Sequence, residues 1–118
     1  MSKGWIGVDL DGTLAEYGSW QGELHIGPPI PKMVERVKQW LADGVEVRIF
    51  TARVAEGPDN RSQSTISQIV GAIQWWCVEH IGVALPVTNQ KDYGLVELWD
   101  DRCVQVIPNT GIRADGKQ

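Results

Sequence analysis

Asp9 and Asp11 stand one residue apart, directly after the apolar run "WIGV" and directly before Gly12. Carboxylates this close repel each other unless a proton or a cation intervenes. Other polar groups follow apolar runs in the same way. Thr51, Ala52 and Arg53 come after "VEVRIF". Asn89, Gln90 and Lys91 come after "VALPVT". Asp100 and Asp101 come after "LVELW". Brought together, these residues would supply four acids, a hydroxyl and two cations. Clustered acids call for a cation, and Mg²⁺ suits carboxylate and carbonyl oxygens. Thr51 and Lys91 beside that ion would suit a phosphate.

Such a meeting requires elements that end at one edge. Residues 5–8 read as a short buried strand. Pro31 suits the first turn of a helix in which Met33, Val34, Val37, Trp40 and Leu41 recur at helical spacing, with Gly44 as its stop. A second strand is expected over 45–50, then a loop. Ile66, Ile69, Val70, Ile73, Cys77 and Ile81 mark one stripe of a second helix closed by Gly82. Further strands are expected over 83–88, 95–100 and 103–107. Strands alternating with helices imply a parallel sheet, and ligands bind beyond the carboxyl ends of such strands. Right-handed crossovers between neighbouring strands would put both helices on one face. The other face would need cover from the tail, from loops or from a second copy, so a homo-oligomer is expected.

The chain has 118 residues, enough for one domain with one core. Apolar residues make up 42% and charged residues 22%, the balance of a soluble globular protein. The net charge of −4 argues against a large nucleic-acid footprint. Cys77 and Cys103 form no disulfide framework and no metal-binding spacing, so a reducing cytoplasm is the expected location. The N-terminus meets acids before any long apolar run, so neither a signal peptide nor a membrane span is expected there. Residues 108–118 read as a loosely ordered tail.

"DLDGT" at 9–13, "IFTAR" at 49–53, Lys91 and "LWDDR" at 98–102 resemble the four motifs of the haloacid dehalogenase (HAD) superfamily of phosphotransferases. The resemblance covers roughly residues 4–107. It implies a Rossmann-like, mainly parallel sheet of strand order 5-4-1-2-3 with flanking helices, and Mg²⁺-dependent phosphoryl transfer through an aspartyl-phosphate. Asp9 would be the nucleophile and a metal ligand. Asp11 would be the general acid and then the base, with its main-chain carbonyl on the metal. Thr51 and the Ala52 N–H would bind phosphoryl oxygens, and Lys91 would hold the same oxygens. Asp101 would bind the metal directly and Asp100 through a water. Gly12, Thr13 and Asn89 complete the implied substrate-binding set; Arg53, directly after the Thr51 motif, would bind the leaving group or else form a surface ion pair. Only eight residues separate Lys91 from Asp100, too few for a helix and a strand, so Asn89 is expected to share its role. Segments 15–30 and 54–63 are too short for a cap domain and read as a flap and a loop. The implied protein is a small capless phosphatase acting on a small phosphorylated metabolite or nucleotide. A polynucleotide or phosphoprotein phosphatase is the alternative within the same chemistry.

Blander readings stand beside this one. A surface acidic turn would explain Asp9 and Asp11 but not the other strand ends. An EF-hand would need oxygen ligands that the residues after Gly12 lack. A module that binds phosphate or metal without turnover would keep the same residues. His25 in the flap is ordinary for a solvated loop. Tyr17 and Trp20 could stack on a substrate or pack the flap. Trp76 lies near the core stripe of its helix, leaving Trp75 as an interface candidate.

Overall fold

The structure is a computed structural model that describes residues 4–55 and 64–118. The loop expected over 54–63 therefore lies outside the described residues from 56 to 63. Four strands, β1 (Trp5–Val8), β2 (Glu46–Phe50), β3 (Val87–Thr88) and β4 (Leu95–Trp99), form one parallel sheet in the order β3-β2-β1-β4. Two helices, α1 (Pro31–Ala42) and α2 (Ile66–His80), pack on it. A short 3₁₀ turn spans Ala52–Val54. The arrangement is α/β and consistent with a Rossmann-like fold. Among the described residues no helix is long and apolar enough to cross a membrane.

Each helix starts where its sequence supplies a start signal. Pro31 occupies the first position of α1, where its missing N–H costs nothing. Thr65 caps α2: its hydroxyl accepts from the Gln68 N–H while the Gln68 side chain accepts from the Thr65 N–H. The buried faces are Met33, Val34 and Val37 on α1, and Ile69, Ile73, Trp76 and Cys77 on α2. Both faces join one core with Ile6 and Val8 of β1 and Val47 and Ile49 of β2. Both helices thus cover the same face of the sheet.

The opposite face carries its own cover. Trp5 is only 2% exposed. Its indole stacks on Phe50 at 6.4 Å, and the Arg48 guanidinium lies over it at 4.4 Å. Its Nε1–H donates to Asp92 Oδ1 at 2.8 Å. Arg48 is held in place by Glu46 at 2.6 Å and Asp92 at 3.4 Å. Gly7 makes the layer possible. A Cβ there would come 3.1 Å from both the Trp5 ring and Leu98. An aromatic layer with a cation on top thus does part of the work expected of a tail, a loop or a second copy.

Two strand expectations change. The strand placed at 83–88 shortens to Val87–Thr88. No strand forms over 103–107, so among the described residues the sheet has four strands; read from its other edge their order is 4-1-2-3, without the fifth strand of the expected 5-4-1-2-3. The apolar residues Val104, Val106 and Ile107 are exposed. The chain turns back at Asn109 and pairs with itself instead: the Ile107 N–H donates to the Ile112 carbonyl and the Ala114 N–H to the Gln105 carbonyl, each at 2.8 Å. Those local bonds take the backbone groups that joining the sheet would have used.

Candidate active site

All four strands run the same way, so the residues that follow them meet at one edge. A cavity of about 610 Å³ opens there. Asp9, Asp11, Asp100 and Asp101 line it, with Thr51 from the end of β2 and Asn89 from the end of β3. Ala52 and Arg53 border it beside Thr51, and Tyr17 and Trp20 reach it from the flap.

Local packing sets the two acids of the first strand apart. Leu10 is fully buried and anchors the turn, its carbonyl accepting from Leu14 and Ala15 N–H at 3.0 and 2.9 Å. Asp9 and Asp11 flank it. Gly12 has φ +90°, and a Cβ on it would come 2.5 Å from Asp101 Oδ2. Only glycine combines that backbone with that approach. Asp101 can therefore reach the Asp9 neighbourhood.

Carboxylate oxygens of Asp9, Asp100 and Asp101 lie within 4.8 Å of one another. Burial, foremost, pushes the Asp9 carboxyl up to about 7. The charges of Asp100 and Asp101 and a hydrogen bond with Asp101 push the same way, against the Thr13 hydroxyl, which donates to Asp9 Oδ2 at 3.3 Å. Asp100 is oriented by the Arg102 N–H at 2.8 Å. Three converging carboxylates form an all-oxygen donor set of the kind that suits a hard divalent cation.

Asp11 has a different partner. Arg53 Nε and one terminal nitrogen donate to its two oxygens, both at 2.8 Å. The other terminal nitrogen donates to the Glu23 carbonyl at 2.9 Å. The Trp20 ring lies 5.3 Å from the guanidinium carbon. Arg53 therefore ties the flap to Asp11. The neck of the flap is pinned too: Ala15 bridges Pro29, and the Glu16 N–H donates to the Pro28 carbonyl at 2.8 Å. Thr51 is buried, and its hydroxyl accepts from the Arg53 N–H at 3.2 Å.

The structure thus gathers most of the expected residues and leaves three, Lys91, Gly12 and Thr13, off the cavity lining. Lys91 is exposed and does not line the cavity. Its neighbour Asp92 is held toward the opposite face of the sheet by Trp5, and the Gly94 N–H donates to the same Asp92 carboxylate at 2.8 Å. Gly12 and Thr13 also lie off the cavity and act on Asp101 and Asp9 from behind. Phe50, Arg102 and Cys103 line the cavity without having been singled out. Adjacency was the available signal for all three: Phe50 precedes Thr51, and Arg102 and Cys103 follow the acidic pair. His25 is exposed and borders a second, smaller hollow behind the flap, beside Asp11 and Arg53.

Neither a protein-family model nor a curated protein matches this sequence. A solved structure is similar: a conserved protein coded by a locus of Bacteroides thetaiotaomicron, 24% identical, with a TM-score of 0.55 over 90% of this chain and 82% of that one. The likeness speaks to the fold.

Proposed function

We propose that the protein is a Mg²⁺-dependent phosphomonoester hydrolase of the HAD type, acting through an aspartyl-phosphate on Asp9. The observation that carries this reading is the division of the acids. Asp9, Asp100 and Asp101 converge, while Asp11 stands apart beside the flap on an arginine. The side chains of Asp9, Asp100 and Asp101 and the main-chain carbonyl of Asp11 would hold Mg²⁺. When bound, the ion supplies positive charge against the three carboxylates and the phosphoryl oxygens.

The residues then have separable tasks. An ionised Asp9 oxygen attacks phosphorus, and the bond to the leaving oxygen breaks. Asp11 gives its proton to that oxygen and later takes one from the water that attacks phospho-Asp9, which releases phosphate and restores the carboxylate. The buried Thr51 hydroxyl and the N–H groups of the turn after β2 are the donors nearest in sequence for the phosphoryl oxygens. A cavity of about 610 Å³ suits a small phosphorylated metabolite or nucleotide.

The test is turnover of p-nitrophenyl phosphate with and without Mg²⁺. Wild-type activity that requires the ion and vanishes in Asp9→Asn is the expected result. One observation favours a second reading, a module that binds phosphate without turnover: both oxygens of Asp11 are taken by Arg53. Metal-loaded protein that binds phosphate but turns over nothing in a broad phosphomonoester panel would establish it.

A further inference from the structure

We infer that Arg53, and not Lys91, is the cation that receives the phosphoryl oxygens of the substrate, and that Asp11 holds its place until they arrive. The inference rests on the phosphatase reading and names a substrate-binding residue within it.

Placement is the first ground. Lys91 sits outside the cavity, next to a residue anchored on the far side of the sheet by Trp5. Arg53 already lines the cavity, and its side chain is only 6% exposed. Its backbone is fixed by the turn after β2, where its N–H meets Thr51, so it is positioned before any ligand comes. Arg102 also borders the cavity but is exposed.

Chemistry is the second. A guanidinium fork fits a carboxylate and a phosphate in the same bidentate way. Asp11 offers the fork two oxygens and one negative charge. A phosphomonoester offers three oxygens and up to two charges, so it competes well for the same fork. Exchange of partners frees the Asp11 carboxylate next to the phosphoryl group, where it takes a proton from solvent before the proposed acid step and serves as the base afterwards. It also joins binding to the flap, because the same guanidinium holds the Glu23 carbonyl and lies near Trp20.

The experiment is calorimetric titration of inorganic phosphate into Mg²⁺-loaded wild type, Arg53→Met, Arg53→Lys and Lys91→Met, with thermal melting of each variant. Arg53→Met should weaken phosphate binding about tenfold or more, the usual scale of a charge-assisted pair. Lys91→Met should weaken it by less than about threefold, as for an exposed charge. Arg53→Lys keeps the charge but loses the fork, so it should fall between, and it serves as the folded control if Arg53→Met melts early. Mg²⁺ affinity without phosphate should not weaken in Arg53→Met, whereas a merely structural role would lower both affinities. A loss in Lys91→Met equal to or larger than that in Arg53→Met overturns the inference, as does wild type that binds no phosphate. Turnover of p-nitrophenyl phosphate that depends on Asp9 but survives Arg53→Met overturns the inference and leaves the phosphatase reading standing. Phosphate binding that depends on Arg53 without any turnover keeps the inference and removes the phosphatase.

Discussion

Asp9 binds its proton more tightly in the folded chain than in the unfolded one, because burial and two neighbouring carboxylates oppose its charge. Linkage then sets a sign. Below 3.8 the group is protonated in both states and has no effect; as pH rises from 3.8 to about 7 the folded state loses ground; above that the loss is complete. Melting of the metal-free protein should therefore fall across this window. Asp9→Asn should flatten the fall and melt above wild type near pH 8. Mg²⁺ should raise the wild-type melting temperature more at pH 8 than at pH 4, since an ion that binds only the folded state stabilises it. A metal-free profile that rises across the window would contradict this account of Asp9. Gly12→Ala is the second prediction at this scale. It would set a Cβ 2.5 Å from Asp101 Oδ2 on a backbone of φ +90°, costing about 1–3 kcal/mol of strain. Because Asp101 must move, Mg²⁺ affinity should fall as well, which calorimetry would read directly.

At the scale of elements, the parts differ in how much each depends on its neighbours. α2 has a complete capping box, and Thr65→Ala should cost about 1 kcal/mol in chemical denaturation. The Trp5 layer matters more. Trp5→Ala should cost about 3–5 kcal/mol, the range for a large buried side chain, and should loosen the Asp92 loop with it. Trp75, 65% exposed on α2, should tolerate the same change within about 0.5 kcal/mol. Its helical spacing separates it from Trp76, which is buried and donates its Nε1–H to the Gly27 carbonyl at 3.0 Å. That bond joins α2 to the root of the flap.

For the whole molecule, the core lies between the sheet and its two helices, and residues 105–118 contribute nothing to it. Removing them should change stability by about 0.5 kcal/mol, the scale of surface changes. A large drop in the melting temperature would show that the tail covers part of the sheet after all. The case for an oligomer made from a bare sheet face loses part of its premise, since Trp5 and Arg48 occupy that face.

How much could be read beforehand differs residue by residue. Asp9, Thr51, Asn89, Asp100 and Asp101 each follow an apolar run, and parallel strands must release such residues at one edge, so their meeting was legible from order alone. The helical stripes were legible for the same kind of reason, because a 3.6-residue period has few other meanings. The residues 103–107 misled because an apolar run carries no statement of its partner; backbone groups that pair locally at a turn never reach the sheet. Lys91 stands exposed and off the cavity lining, a placement that motif order alone does not give. Nor could spacing reveal that Arg53 holds Asp11 across 42 positions, or that Trp5 roofs its own strand. The sequence by itself determined which groups stand at the strand ends, since that follows from local pattern and chain direction. Only the tertiary structure decided which of them touch, because contacts between distant residues depend on how whole elements pack.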